Sequence, residues 1–114
     1  MRKQMMENAA LEVAAQIRAV EECIDSAIAE LADLQSKMVR ARAVTGVGFA
    51  TSHPAFEQLA ATTSGLIAAR GGVANCHTAL VETRRVIPGL RTTAFGEGDE
   101  CPPPSGFVDL RVVA

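Results

Sequence analysis

MENAALEVAAQIRAVEECIDSAIAELADLQSKM, residues 6–38, decides the fold. Alternating steps of four and three residues land on Met6, Ala10, Val13, Ile17, Val20, Ile24, Ala27, Leu31, Leu34 and Met38, with no Gly or Pro in the stretch. An apolar residue every 3.5 positions is the pattern of a long helix that lies along another helix. Such a helix cannot hide its seam alone. Its partner must come from elsewhere in the chain or from a second copy.

Extended outward, this helix spans about Arg2 to Arg42. Off the seam it carries Glu7, Glu12, Glu21, Glu22, Asp25, Glu30 and Asp33, then Lys37, Arg40 and Arg42 toward its end. Acid early and base late suits the helix dipole, and most of these charges read as a solvated face. Cys23, beside Ile24, reads as a small apolar residue near the seam.

The run from Thr45 to Pro54 holds Gly46 and Gly48 and ends the first helix. Ser52 or His53 ahead of Pro54 reads as the start of the second helix, with Glu57 in its first turn. A connection of about ten residues lets the second helix fold back antiparallel. That helix, from Pro54 to about Ile87, carries Leu59, Leu66, Val73, Leu80 and Ile87 at constant seven-residue spacing, with Ala60, Ile67, Ala74 and Val81 beside them. On the other side of the leucine line stand Phe56, Thr63, Arg70, His77 and Arg84, again seven apart. Gly71-Gly72 should cost roughly 2 kcal/mol of helix propensity. The pair therefore suggests a kink, a tight helix contact or a nearby ligand, and Gly65 suggests a second point of close approach.

Pro88-Gly89 stops the helix. Beyond it, Leu90 to Phe95 reads as a short extended segment, Gly96 to Cys101 as an acidic turn and Pro102 to Pro104 as a stiff polyproline piece. Phe107 to Val113 alternates like a strand able to pair with Leu90 to Phe95 or with a neighbouring subunit. The expected fold is mainly α. A helical hairpin over residues 1–88 assembles into an oligomeric bundle, and residues 89–114 form a Pro-rich tail.

Composition bounds the function. A chain of 114 residues with 48% hydrophobic content but 4% aromatics buries a limited core, so self-association is the default expectation. A formal net charge of -2 argues against an extended nucleic-acid partner, which needs a concentrated basic surface. Cys23, Cys76 and Cys101 are an odd set without CxxC spacing, which argues for a reducing compartment, the cytoplasm, over a disulfide framework or zinc site. No signal-peptide pattern opens the chain, and no apolar run is long enough for a membrane span.

Catalytic signatures are weak. Cys76 and His77 are neighbours in sequence, yet adjacent helix positions point about 100° apart, so they do not form a nucleophile–base pair. No cofactor or metal is implied, and the expectation is a non-enzyme. The candidate ligand site is cationic instead. Arg40 and Arg42 leave the first helix where the glycine-bearing connection begins, and Thr45, Gly46, Gly48, Thr51, Ser52 and His53 lead into a helix N-terminus. That combination can hold a phosphate or carboxylate. Arg70, His77 and Arg84 offer a second positive edge, and edges from neighbouring copies could converge on one small anion. The competing reading pairs these arginines with acids of the first helix across the hairpin.

The plan of a long N-terminal helix, a Gly-containing connection from Thr45 to Ser52, a second helix and a Pro-rich tail resembles small phage-encoded helical proteins of the nucleotide-sponge (anti-CBASS/anti-Thoeris) type. The resemblance is one of architecture over residues 1 to about 88, and the tail has no counterpart. It implies a helical homo-oligomer that sequesters a cyclic nucleotide without cleaving it. The alternatives are a structural component, such as a virion or scaffold protein, and a helical regulator that binds a protein partner.

Overall fold

Two helices account for nearly all of the residues that the computed structural model describes, residues 1–90. Helix α1 spans Arg2–Thr45 and helix α2 spans Phe49–Val86. There is no strand among the described residues. The chain is a helical hairpin of the mainly α class. The expected strand at Phe107–Val113, its pairing with Leu90 to Phe95 and the acidic turn at Gly96–Cys101 fall outside the described residues.

The turn between the helices is much shorter than ten residues. Only Gly46, Val47 and Gly48 lie between α1 and α2. Gly46 sits at φ +72°, and its N–H donates to the Arg42 carbonyl at 3.0 Å, the bond that closes a helix with a left-handed residue. Helix α2 then starts at Phe49 rather than at Pro54. The Ser52 N–H already donates to the Gly48 carbonyl at 3.1 Å, so the helical ladder is running before the proline. Pro54 therefore lies inside α2 and forgoes a bond to the helix carbonyl four residues back. Ser52 and His53 are first-turn residues, not caps.

The chain divides into two compact units, each with its own antiparallel helix pair. One consists of Ala19–Cys76, which is the second part of α1, the turn and the first part of α2. Here Ile24, Ile28 and Leu31 of α1 and Leu59, Leu66 and Val73 of α2 are buried or half-buried. The other consists of Met1–Arg18 with the chain from His77 on. Its buried apolar residues are Ile17, Val81 and Leu90, with Met6, Ala10, Leu80 and Ile87 half-buried.

On α2 the residues shielded from solvent follow two lines seven residues apart. The Leu59, Leu66, Val73, Leu80, Ile87 line is one, as expected from its periodicity. The other is Phe56, Thr63, His77 and Arg84; on the neighbouring line Ala60, Ile67 and Ala74 are exposed and Val81 is buried. Together the two lines step 56, 59, 63, 66, 70, 73, 77, 80, 84, 87, an unbroken 3.5-residue repeat. Of the three residues expected on a second positive edge, Arg84 is buried and His77 half-buried, whereas Arg70 is exposed.

The glycines inside α2 behave differently from expectation. A Cβ placed on Gly65, Gly71 or Gly72 would meet nothing within 4 Å, and α2 continues through all three. No close approach of the described chain accounts for them. Cys23 is exposed as well, because it points away from the side of α1 that carries Ile24.

Helix α2 ends with a tight reversal. The Ile87 N–H donates to the Arg84 carbonyl at 3.1 Å, and the Leu90 N–H to the Ile87 carbonyl at 3.1 Å. With Pro88 second and Gly89 third at φ +90°, this four-residue turn has the type II pattern. It brings Leu90 back to a buried position in its own unit.

Two glycine substitutions should move stability in opposite directions in urea unfolding at fixed protein concentration. Gly46→Ala forces a side chain into left-handed backbone and should cost about 1–2 kcal/mol. Gly71→Ala combined with Gly72→Ala, on open helical positions, should add about 1–2 kcal/mol. A loss in the double variant would mean that another backbone packs there.

Candidate functional site

The cationic residues singled out by sequence fall into two places. Arg40, Arg42, Thr45, Gly46, Gly48, Thr51, Ser52 and His53 surround the turn, and Arg70, His77 and Arg84 lie along the α2 seam. The two sets are not one site.

At the turn, most polar groups are engaged locally. The Thr45 hydroxyl donates back to the Ala41 carbonyl at 2.8 Å and lies 3.4 Å from that of Arg42. The Ser52 hydroxyl does the same toward Gly48 at 3.1 Å and Phe49 at 3.0 Å. Short hydroxyl side chains within helices commonly back-bond in this way. Arg40 donates from Nη2 to Ser36 Oγ at 3.2 Å, and His53 Nε2 lies 3.5 Å from Glu57 Oε1, one turn on. Thr51 sits beside Gly48, with its Oγ1 3.5 Å from where a Gly48 Cβ would lie.

Arg42 is the exception. Its guanidinium carbon lies 5.3 Å from the centre of the Phe49 ring, a cation–π distance, and its Nε is buried with no hydrogen-bond acceptor among the described residues. Phe49, itself 74% exposed, gives the guanidinium a platform in the first turn of α2. Sequence reading missed the pairing because it placed Phe49 in a loop. The first N–H groups of α2 are the other donors at this end, since a helix N-terminus has no internal acceptors for them.

Along the seam the structure bears out the competing reading for Arg70. Its Nε donates to Asp25 Oδ1 at 2.6 Å across the α1–α2 pair. This hydrogen bond first, then the charge of Asp25 and to a smaller degree that of Glu21, raises the guanidinium above its ordinary range despite a small opposing effect of burial. A raised basic group stabilises the fold fully below its unfolded value and loses that contribution only as pH climbs through the folded one. The arginine therefore stays charged at every ordinary pH. Glu21, Ile24, Asp25, Arg70, Val73 and Ala74 line a cavity of about 270 Å³ at this point. Arg84 is only 7% exposed, in a wall that also includes Leu80, Ile87 and Leu90. His77 is half-buried at the equivalent seam position.

Acids on α1 mirror this pattern. Glu7 and Glu21 fall on one seven-residue line that is partly shielded from solvent, and Asp25 is one turn beyond Glu21. In the Ala19–Cys76 unit the Arg70–Asp25 pair thus places a charged contact beside the apolar residues of the helix pair.

Among the described residues no group of three or more His, Cys, Asp and Glu side chains could hold a metal ion. Cys76 is exposed while its neighbour His77 is half-buried, as expected for side chains about 100° apart on a helix. No described helix is long and apolar enough to cross a membrane. Comparisons with protein-family models, curated proteins and solved structures found no match to this chain.

Charge reversal tests the seam. Arg70→Asp and Asp25→Arg should each lower the thermal midpoint followed by circular dichroism, and the double exchange should recover most of the loss at low salt, with the differences shrinking in high salt. Two losses that simply add would show that the pair contributes nothing.

Proposed function

We propose that this protein is a non-enzymatic helical assembly protein, a hairpin that completes its core by packing against further copies of itself. What supports this reading is how little apolar surface the hairpin covers. Among the described residues only Ile17, Leu59, Val81 and Leu90 are buried hydrophobic residues, and no large side chain is fully buried. In the Ala19–Cys76 unit, Val20 and Leu34 of α1 remain 37% and 47% exposed and Ile67 of α2 54% exposed. Val20 and Leu34 belong to the 3.5-residue repeat of α1, on the line that α2 leaves uncovered. An unfilled coiled-coil stripe is what a neighbouring helix occupies. With a net charge of only -2, repulsion between copies is small. The free thiols Cys23 and Cys76 suit a reducing compartment, and the cytoplasm is part of the proposal.

Light scattering behind size exclusion tests the reading. Wild type should elute as an oligomer, and Val20→Glu with Leu34→Glu should reduce it to a smaller species that keeps its helical circular dichroism. An unchanged mass in that variant would remove this stripe from the interface.

A second reading has one observation in its favour. Arg42, stacked on Phe49 with its Nε lacking an acceptor, stands at the N-terminus of α2, where a small anion such as a nucleotide phosphate would meet both a guanidinium and free N–H groups. Copies meeting at this end would give the capture of a cyclic nucleotide that the sponge-like architecture implies. A thermal shift against cyclic and linear nucleotides that disappears in Arg42→Ala supports capture. No shift across the panel leaves assembly alone.

A further inference from the structure

We propose that the apolar groove in the unit formed by Met1–Arg18 and the chain from His77 is a docking site for this chain's own C-terminal segment, Phe107–Val113. The groove encloses about 310 Å³, and its lining includes Met6, Ala10, Leu80, Ile87 and Leu90. Apart from Thr83 and Arg84 its wall consists of apolar residues. An open apolar hollow of this size on a small protein is an unfavourable surface to leave to water.

Two observations select the occupant. The first is where the described chain ends. The Ile87–Leu90 turn reverses the backbone and sets Leu90, the last described residue, into the groove wall. The groove extends about 10 Å along α1 from Met6 to Val13, while residues 91–106 can span about 50 Å when extended. The segment that follows them therefore reaches the groove from its own chain without strain.

The second is the pattern of that segment. In Phe107-Val108-Asp109-Leu110-Arg111-Val112-Val113, Val108, Leu110 and Val112 share one side at period two, while Asp109 and Arg111 share the other. Laid extended along the groove, the segment presents three apolar side chains to the wall and two charges to solvent, the arrangement by which extended peptides read alternate pockets. The cavity has room for a few side chains and not for a helix, which separates this occupant from the helical neighbour inferred for the α1 stripe. The docking is within one chain and does not rest on self-association.

Hydrogen–deuterium exchange of the full chain tests it, comparing wild type with Val108→Ser, Leu110→Ser and Val112→Ser combined. Exchange at residues 6–13 and 80–87 should rise by about fivefold or more in the variant, with residues 28–66 unchanged, equally at low and high micromolar protein. In parallel, Ala10→Cys with Leu110→Cys, the three native cysteines replaced by Ser, should form an intrachain disulfide under mild oxidation. Unchanged exchange in the serine variant overturns the proposal. So does a difference between wild type and variant at residues 6–13 and 80–87 that grows with protein concentration, or a cross-link found only between chains, since either would seat the segment of another copy in the groove.

Discussion

The structure depends on a seam that is only half apolar. Along α2, a line of leucines, valine and isoleucine alternates with a line that runs Phe56, Thr63, Arg70, His77, Arg84, and both turn toward α1. Packing of knobs into holes supplies favourable contact at the first line. At the second, side chains with hydrogen-bonding tips must find partners or remain near water, because an uncompensated buried charge is strongly unfavourable. Asp25 answers Arg70 directly, with Glu21 close enough to reinforce the pair. Such pairs add little net stability in an exposed setting, yet they disfavour shifted registers, in which arginine would face isoleucine.

That constraint carries through to the core and to function. With Thr63, Arg70, His77 and Arg84 on the second line, two helices bury few large side chains, and the Ala-rich composition reduces the area further. The apolar positions that remain are spread along the outer flank of the α1 repeat and across the groove beside Leu90. These positions are the ground for the proposal that the hairpin packs against further copies of itself. Of the arginines expected along a ligand edge, Arg70 is engaged instead by Asp25 across the helix pair. Arg42, at the turn, keeps a buried Nε with no acceptor among the described residues.

Much of the fold was legible from sequence because long-range periodicity survives local noise. The 3.5-residue repeat of α1, the leucine line of α2, the helix stop at Pro88-Gly89 and the glycine-closed end of α1 each rest on a strong local cause. The start of α2 was not legible. Pro54 after Ser52 and His53 is a stronger start signal than Phe49 after Gly48, yet the ladder begins at the weaker one because the glycine turn had already reversed the chain. The second line of the α2 seam was misassigned for a related reason. Ala60, Ile67 and Ala74 are apolar yet exposed, while Thr63, His77 and Arg84 are shielded, so residue type alone did not say which flank of the leucine line turns inward. Gly71-Gly72 was read as a kink, a tight helix contact or a nearby ligand and Cys23 as a small residue near the seam, yet the described chain leaves open space at the glycines and Cys23 exposed.

The central claim is that the hairpin seam alone does not hold this protein together. Thermal unfolding of the full wild-type chain, followed by circular dichroism across a hundredfold dilution through the micromolar range, tests it most directly. The account predicts a midpoint that falls steadily as the protein is diluted, with loss of helix at the lowest concentrations. A single cooperative midpoint unmoved by dilution, for a particle sedimenting at 12.0 kDa, would contradict it.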